Sequence, residues 1–362
     1  MKERFSDKIR VTLDALLEEG VAEGVFPSAS TVVSSRKSGI IAVARGYYDR
    51  LHKASIATVY DLASLTKPLA TTLLAMRLFD EEKLPLENSA VNLLPVAKKK
   101  LWKGITLSHL LDHTSGLKPW LPLYALARSP ESKDVIAAIE KKGFSTNPGE
   151  KTIYSDLNFI LLWHILQGLI EGEPAKYIVN KIYRPFGVEE LWFAGDSLPE
   201  KSEVAPTEFR GDFGKPLAFI SSDCNSRFLG GVSGHAGLFG TALGVHKIAS
   251  LLLKSYKGKR VKNFISPKTT RFFWNFRRAG MRHFALGWDR PAKIGSLAGT
   301  KISRNAVGHL GFSGTSLWID VEREIIIVLL TNRTFPHRLN EKIKSFRPYF
   351  QDKVMDILVN SE

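Results

Sequence analysis

The sequence predicts an α/β protein in which an antiparallel sheet is flanked by N- and C-terminal helices and interrupted by a mainly helical insertion. Three observations support this prediction. An amphipathic helix at 6–24 leads into two strand-like segments, a mainly helical pattern runs from about 70 to 200, and two apolar strands precede a last amphipathic helix at about 340–358. Helices at both ends with antiparallel strands between them favour a layered α/β sandwich.

The length and composition allow two modest domains with ample core. The chain has 362 residues, of which 44% are hydrophobic. Residues 1–69 together with 205–362 are predicted to form the α/β sandwich, and 70–204 the mainly helical domain. The cleft between these two domains is the expected place for a site.

The strands are read from alternation and turn residues. Segments 28–35 and 40–47 predict a hairpin closed by 36–39, and short strand-like pieces appear at 283–288 and 297–302. Near the end of the chain, 307–319 is predicted as one strand, 320–324 as a charged turn and 325–330 as a returning strand buried on both faces. Helices are expected near 106–112, 131–142, 157–171 and 174–184.

Composition narrows the classes of partner. The formal charge is +15, but the basic residues are scattered and no nucleic-acid-binding motif surrounds them, which favours a generally basic surface over a nucleic-acid partner. One cysteine excludes an intrachain disulfide. No apolar run approaches the roughly 20 residues of a membrane span. The N-terminus lacks the apolar core of a signal peptide, so we expect a cytoplasmic location, or a periplasmic one if the natural chain begins further upstream.

Ser64 is the first candidate functional residue. It stands where a polar stretch meets the apolar run 69–79, whose spacing predicts a helix buried on most sides. Lys67 follows one turn later, so hydroxyl and amine are expected on one helix face. A serine needs such a neighbour to become a nucleophile, and a helix N-terminus adds N–H groups where an oxyanion forms. The alternative is that Ser64 is simply an N-cap.

The pattern Ser-x-x-Lys is weak evidence by itself, because it occurs three times, beginning at Ser34, Ser64 and Ser115. Ser34 lies where an apolar strand runs into a charged turn, and Ser115 lies in a loop containing glycine and proline. Ser64 alone precedes a long buried helix, which makes it the candidate nucleophile.

Two further groups of polar residues stand out. His109 and His113 are four apart and could share a metal. No third ligand follows at metalloprotease spacing, so structural, hydrogen-bonded histidines are predicted, with no metal site and no cofactor. Tyr154 and Asp156 follow a Pro-Gly turn at the start of an apolar helix, where Tyr154 would also suit an ordinary half-buried tyrosine. The glycine run 230–240 lacks the context of a phosphate loop and indicates close backbone packing.

Three motifs occur in order along the chain: Ser64-Leu65-Thr66-Lys67, Tyr154-Ser155-Asp156 and His309-Leu310-Gly311. In order and spacing they resemble those of the serine β-lactamase and penicillin-binding-protein superfamily, which combines Ser-x-x-Lys with a second polar triad and a Lys-Thr-Gly strand. The esterase and peptidase relatives of class C β-lactamases are the most similar branch. The resemblance covers about residues 10–355 and implies a β-lactamase-like fold.

The resemblance also implies roles. Ser64 would attack an acyl carbonyl and form an acyl-enzyme, and Tyr154 would take the hydroxyl proton and later help to activate water. Lys67 and His309 would supply the positive charge that lowers the pKa of a tyrosine base. The backbone N–H groups of Ser64 and Phe312 would form the oxyanion hole.

Two departures from the superfamily pattern affect substrate binding. His309 and Leu310 replace the Lys-Thr that binds the carboxylate of a β-lactam, which predicts a poor β-lactamase. Asp156 replaces the common Asn, so it is expected to pair with Lys67 or to accept an N–H or ammonium group from the substrate. Gly311 is expected to let the substrate backbone lie against the strand.

Relatives carry a similar Asp-x-Asn loop before the glycine run. For Asp223 and Asn225, two interpretations are equally supported: the pair lines the cleft and contacts substrate, or it forms an Asx turn that caps its own loop. Trp120, Tyr124 and Trp288 are candidates for an acyl pocket, with core packing as the alternative.

The sequence therefore predicts a serine hydrolase acting on a small-molecule ester or a small amide or peptide. Esterase and D-amino-acid peptidase activities both fit, with esterase slightly favoured, and recycled cell-wall peptides are substrates of some relatives. A weak β-lactamase or DD-carboxypeptidase is the alternative within the same chemistry. The alternative outside it is a non-catalytic protein that binds peptides or an anionic polymer. The sequence sets no oligomeric state.

Overall fold

The computed structural model describes residues 2–94, 102–210, 215–280 and 284–359. Its strands are β1 (Ser28–Ser35), β2 (Gly39–Gly46), β3 (Tyr60–Asp61), β4 (Leu191–Phe193), β5 (Glu208–Arg210), β6 (Lys215–Leu217), β7 (Leu238–Gly240), β8 (Val307–Leu310), β9 (Ser316–Asp320) and β10 (Ile325–Thr331). Its α-helices are α1 (Lys2–Ala22), α2 (Thr72–Asp80), α3 (Leu107–Leu111), α4 (Leu123–Leu126), α5 (Ser132–Lys142), α6 (Asp156–Gln167), α7 (Pro174–Ile178), α8 (Cys224–Phe228), α9 (Ala242–Tyr256), α10 (Pro267–Asn275) and α11 (Ile343–Val359).

The central sheet has five strands in the order β2-β1-β10-β9-β8, and every neighbouring pair is antiparallel. Side chains alternate across each strand. Val33 and Ile327 therefore pack with residues of α1 and α11 on one face. Val32 and Val328 join the larger core on the opposite face, which includes residues of α2, α6 and α9. The predicted sandwich, with terminal helices on one face, is confirmed.

The N-terminal hairpin agrees with the prediction to within a residue at each strand end. Ser35 pairs with Gly39, and Gly39 has a φ of +70°. A glycine takes this left-handed conformation without steric cost, so the turn closes tightly. β10 is buried along its whole length, as expected for a strand covered on both faces.

The prediction of one strand over 307–319 is wrong. β8 ends at Leu310 and β9 returns beside it, with Leu310 opposite Ser316. The Gly311 N–H donates to the Thr315 carbonyl at 2.7 Å, and Gly314 has a φ of +97°. Apolar residues continue to alternate through the turn, so the pattern alone does not show where the strand ends. Gly311 and Gly314 are the sequence signal for the turn.

The strand-like pieces predicted near 290 are also absent as strands. Ala285 and Trp288 form an isolated bridge, and 297–302 contains no strand. Residue 283 lies outside the described residues. The helices predicted between 106 and 184 are present, with shorter bounds. The division into two domains at about 70 and 205 stays a prediction.

A second, three-stranded sheet has the order β3-β7-β4, and β5 pairs with β6 as a separate ribbon. β3 leads directly into the segment that carries Ser64. In the described ranges, no helix combines the length and apolar character that crossing a bilayer requires.

Candidate active site

Ser64 lies in a tight turn directly after β3. Residues Ala63–Leu65 form one 3₁₀ turn, Lys67–Thr71 form a wider π-helical turn, and the regular helix α2 begins only at Thr72. The sequence predicted one continuous helix here. The apolar spacing correctly predicted the helix, but it did not predict the two irregular turns at its start. Irregular turns of this kind are frequent at functional sites.

Asp61 holds this turn in place. Its carboxylate accepts hydrogen bonds from the Ala63 N–H and the Ser222 N–H, each at 2.8 Å. Ala63 has a φ of +47°, a left-handed conformation that costs free energy for any residue with a Cβ. We call residues 61–67, which carry Ser64, the nucleophile loop. It is a strained turn that the Asp61 carboxylate connects to the loop at Ser222.

Lys67 connects the first two motifs. It is fully buried, and its Nζ donates to the Ser64 Oγ at 2.9 Å, to the Asp156 Oδ1 at 2.7 Å and to the His235 carbonyl at 3.4 Å. Burial lowers the pKa of Lys67, but the Asp156 carboxylate and the Tyr154 phenol outweigh burial, so the pKa is raised. The expected pairing of Asp156 with Lys67 is therefore present, and Lys67 is an ammonium in the resting site.

Tyr154 lies at the mouth of the pocket with 37% of its surface exposed, while its hydroxyl is directed to the nucleophile. Its phenol lies beside Lys67 and Ser64, and the Lys67 Nζ is 4.9 Å from the centre of its ring. Removal from water raises the pKa of Tyr154, and the Lys67 charge only partly counters this, so the net shift is upward. The expectation of a lowered tyrosine pKa is not met in the unliganded site.

His113 supports the tyrosine from behind. Its ring lies 4.6 Å from the Tyr154 ring, and the Ser155 N–H donates to its Nδ1 at 3.1 Å. Burial keeps the pKa of His113 well below its usual value, so the ring is neutral. The Thr106 N–H donates to the His109 Nδ1 at 3.1 Å. Both histidines thus have the structural hydrogen bonds that the sequence predicts.

His309 comes from β8 and completes the four side chains. Its ring lies 5.9 Å from that of Tyr154. Its Nδ1–H donates to the Leu310 carbonyl at 2.9 Å, which leaves Nε2 as an acceptor in the neutral ring. Burial, followed by the Lys67 charge, lowers the pKa of His309 to about 3. His309 therefore supplies no positive charge near neutral pH, which corrects the role expected of it.

The two N–H groups of the predicted oxyanion hole are free. Within the described part of the chain, neither the Ser64 N–H nor the Phe312 N–H has a hydrogen-bond acceptor. Phe312 follows β8, and the Arg333 guanidinium lies 4.4 Å from the centre of its ring. Arg347 of α11 donates to the Gly311, Gly314 and Thr315 carbonyls. The turn that presents the Phe312 N–H is thus held by a buried cation.

Gly311 lines the pocket, and the structure shows why a side chain does not fit at this position. A Cβ at this position would lie 2.0 Å from the Thr315 Oγ1 and 2.8 Å from the Leu62 carbonyl. The missing side chain therefore leaves room for the turn and for the nucleophile loop, and the approach of a substrate backbone to Gly311 stays a prediction.

Asp223 and Asn225 separate in the structure. The Asp223 Oδ1 accepts from the Ser226 N–H at 2.7 Å, as the N-cap of α8, and the same residue lines the pocket. Asp223 therefore caps its own loop and also lies in the cleft, and its contact with substrate stays a prediction. Asn225 is fully buried and bonds instead to the backbone of Leu121 and Leu123, away from the pocket lining. Its predicted contact with substrate is wrong because its amide is used in holding α4.

His235, within the glycine run, contacts Asp223. Its Nε2 lies 2.7 Å from the Asp223 Oδ1. Burial raises the pKa of Asp223, but the contacts with His235 and the Ser226 N–H outweigh burial and hold that pKa well below its usual range. Ligand atoms of Asp156, Asp223 and His235 lie within 4.8 Å of one another, a spacing that could hold a metal. These atoms are already paired with one another or with Lys67, so the set behaves as a charge network beside the nucleophile.

A pocket of about 760 Å³ opens over Ser64. Of the predicted residues, Ser64, Tyr154, Asp156, Asp223, His309, Leu310, Gly311 and Phe312 line it, with Lys67 buried beneath. Trp120 also lines it, whereas Trp288 is buried in the core and Tyr124 lies outside the lining.

Sequence reasoning missed several residues that line the same pocket, among them His235, Phe284, Asp289 and Arg333. Burial raises the pKa of Asp289 to about 7, because the Arg290 N–H only partly offsets the loss of water. A histidine inside a glycine run was a usable signal. The others carry no local pattern, since distant segments bring them to the pocket.

The fold and the site together define a class of protein. A protein-family model described as Beta-lactamase matches residues 13–346. The chain belongs to the β-lactamase family, and it is a serine hydrolase of that family. The predicted resemblance is confirmed.

Named relatives include peptidases and amidases. A putative D-alanyl-D-alanine carboxypeptidase of Escherichia coli (strain K12) is 30% identical over an alignment of 312 positions, which covers 79% of this chain and 71% of that protein. An N-acetylmuramyl-L-alanine amidase of Bacillus subtilis (strain 168) is 29% identical over an alignment of 373 positions, which covers 91% of this chain and 82% of that protein.

Solved structures of low sequence identity share the fold. A D-amino acid amidase from Ochrobactrum anthropi SV3, complexed with L-phenylalanine, superimposes with a TM-score of 0.76 at 17% identity, covering 98% of this chain and 99% of that one. EstCE1, a hydrolase with promiscuous acyltransferase activity, gives a TM-score of 0.71 at 19% identity, covering 95% and 99%.

Proposed function

We propose that this hydrolase cleaves a small amide, with an alanine-containing peptide of the cell-wall type as its main substrate class, through an acyl-enzyme on Ser64. The observation that carries the catalytic part is the buried Lys67 ammonium, which donates to both Ser64 and Asp156. The names of two relatives, a D-alanyl-D-alanine carboxypeptidase and an N-acetylmuramyl-L-alanine amidase, support the substrate class.

In the proposed acylation Tyr154 reacts in its phenolate form: the Ser64 Oγ attacks the substrate carbonyl while its proton passes to the Tyr154 phenolate oxygen. Because Lys67 donates to the Ser64 Oγ, the hydroxyl hydrogen of Ser64 is left to bond the phenol oxygen. The Ser64 and Phe312 N–H groups would stabilise the oxyanion, and the proton on Tyr154 would pass to the leaving nitrogen. Water activated by Tyr154 would then attack the ester and release Ser64.

The proposed site suits amides and esters better than β-lactam antibiotics. The pKa of His309 is about 3 and Leu310 provides no hydroxyl, so these two side chains give the rigidly placed carboxylate of a β-lactam neither a charge nor a donor. The terminal carboxylate of a flexible peptide would instead bind Arg333 or Arg338, which line the same pocket. Asp156 and Asp223, both lining the pocket, favour an ammonium or N–H group on the acyl side. A substrate with a free amino group beside the scissile bond would match this acidic wall.

The experiment has two stages. Intact mass spectrometry after treatment with a fluorophosphonate tests whether the chain acquires one adduct on Ser64. A panel then compares D-alanyl-D-alanine peptides and N-acetylmuramyl-L-alanine with p-nitrophenyl esters and nitrocefin. We expect the peptide and muramyl amides to have the highest kcat/KM and nitrocefin the lowest. An adduct with turnover of esters alone would overturn the substrate class but not the acyl-enzyme; no adduct would overturn both.

A further inference from the structure

A second cavity, of about 680 Å³, lies outside the active-site pocket. Four cationic residues line it: Arg277, Arg290, Lys293 and Arg304. Among the described residues that line it, none carries a carboxylate. An apolar wall accompanies the charges, formed by Pro291, Ala292, Ile294 and Ile302. We call this site the basic cavity.

Two of the cations meet at the end of a helix. α10 ends at Asn275, and its last carbonyls lack helical partners. The Arg277 Nη1 donates to the Trp274 carbonyl at 3.2 Å, and the Arg290 Nη2 donates to the same oxygen. Capping a helix explains why one guanidinium lies here. It does not explain two, because one charge suffices to complement the helix end and the two like charges repel each other.

Arg290 is the less satisfied of the two. It is 6% exposed, and its Nε–H is buried with no acceptor in the described part of the structure. Burial, followed by the Arg277 charge, lowers the pKa of Arg290 to about 10, so the guanidinium stays charged near neutral pH. A buried cation with an unpaired donor is costly unless something supplies an acceptor.

Nearby carboxylates do not fill this role. Asp289, the adjacent residue, lines the active-site pocket, where its carboxylate accepts only its neighbour's backbone N–H among the described hydrogen bonds. Lys301 is paired with Asp356. In contrast, Lys293 and Arg304 have no ion-pair partner among residues that the structure describes, although both belong to the same segment as Lys301.

We propose that the basic cavity binds a small phosphate-type anion, either free or as the phosphate group of a small organic molecule. Its oxygens would accept from Arg277, Arg290 and Arg304, since guanidinium groups match the geometry of phosphate. In the second case the apolar wall would contact the organic part. The proposal is independent of the amide-hydrolase assignment, because none of these residues lines the active-site pocket.

The test measures binding of inorganic pyrophosphate and of phenyl phosphate to the full chain by titration calorimetry at near-physiological salt. The variant is R277Q/R304Q, which removes two exposed charges and leaves the buried Arg290 in place. The matched control is K141Q/K142Q, which removes two exposed charges at the end of α5. We expect one site in the wild type and control, and affinity lowered roughly tenfold or more in R277Q/R304Q.

The outcomes separate a built site from diffuse attraction to a +15 surface. Equal weakening in the control, unchanged affinity in R277Q/R304Q, or no saturable binding of either probe would overturn the proposal. Tighter binding of phenyl phosphate than of inorganic pyrophosphate identifies an organic phosphate as the ligand, and the reverse identifies a free anion. Circular dichroism and hydrolase activity, both expected to be unchanged in R277Q/R304Q, confirm that the variant is folded.

Discussion

Lys67 has no contact with solvent, so the groups around it decide its charge. Asp156 lies 2.7 Å from its ammonium and is the largest influence that opposes burial. The same carboxylate raises the pKa of Tyr154, because a negative charge disfavours a phenolate nearby. One substitution relative to the family's common Asn therefore sets the protonation of both candidate bases.

Ser64→Ala is expected to abolish the fluorophosphonate adduct, since Ser64 carries the one aliphatic hydroxyl that accepts a hydrogen bond from Lys67 in the described site. Tyr154→Phe keeps the ring but removes the proton acceptor, so kcat/KM should fall on the order of a hundredfold or more. Steady-state kinetics and intact mass measure these effects. Ser34→Ala, in another copy of Ser-x-x-Lys, and Tyr124→Phe, outside the pocket lining, are the controls. A hydrolase activity near the wild-type level in S64A would refute the assignment.

The pH dependence follows from the same charges. A base must be deprotonated, and the pKa of Tyr154 is raised above 10, so kcat/KM should rise about tenfold for each pH unit between roughly 6 and 9. Asp156→Asn removes a charge that raises the pKa of both Lys67 and Tyr154. The rising limb should therefore move to lower pH, whichever of the two is the base.

The measurement for Asp156→Asn is a pH–rate profile of kcat/KM, with the exposed Asp7→Asn as control. A limb that stays in place or moves to higher pH would show that Asp156 does not set the protonation of the base. No inflection from His309 is expected in this range, because its pKa is about 3.

The nucleophile loop shows how one element is shaped for the site. A 3₁₀ turn within the loop and the π-helical turn that follows it replace the first turns of a regular helix. Ala63 takes a left-handed conformation directly before Ser64. Thr66 donates from its Oγ1 to the Ala63 carbonyl at 2.6 Å, and Asp61 accepts from the Ala63 N–H. Side-chain hydrogen bonds thus hold a backbone that propensity alone disfavours.

Ala63→Gly is expected to leave the free energy of unfolding within about 1 kcal/mol of wild type. Relief of roughly 1–2 kcal/mol of left-handed strain offsets the entropy of glycine and the loss of one methyl group. Ala70→Gly, at a buried helical position of the same segment, has no such relief and should cost about 2 kcal/mol. Urea denaturation of the pair measures both values, and equal losses would show that Ala63 is unstrained.

At the scale of the whole molecule, the last helix reaches the oxyanion turn. Arg347 of α11 is buried and donates to three carbonyls of the turn between β8 and β9. One of these, the Gly311 carbonyl, belongs to the same peptide group as the Phe312 N–H. Burial, followed by the Arg333 charge, lowers the pKa of Arg347 to about 9. α11 therefore stabilises the position of the Phe312 N–H, which the resemblance assigns to the oxyanion hole.

Arg347→Met is expected to lower the free energy of unfolding by about 2 kcal/mol or more, because charge-assisted bonds to buried carbonyls are lost. It should also lower kcat more than it raises KM, since a displaced Phe312 N–H would weaken binding of the oxyanion rather than of the ground state. Thermal denaturation and steady-state kinetics test the two parts. Lys353→Met, exposed on the same helix, is the control; a matching loss there would remove the special role of Arg347.

Much of the fold and of the candidate site followed from local patterns. The alternation in 28–35 and 40–47 predicted the hairpin, and the apolar period after Ser64 predicted its buried helix. The three motifs predicted Lys67, Tyr154, Asp156 and His309 around Ser64, but not His235 or Asp289 of the same pocket. These features are readable because they depend on spacing between residues close along the chain.

Only the tertiary structure decided the charges and the fate of several polar residues. Burial by distant segments lowers the pKa of His309, in the same direction as the Lys67 charge, and raises the pKa of Tyr154 against that charge. The Asn225 amide bonds to the backbone beside α4 and not to the pocket. The chain also turns after β8, within a stretch whose pattern predicted one strand. The sequence by itself determined which chemical groups are available and their local geometry. The dielectric and the contacts that set their reactivity come from long-range packing, which no local period encodes.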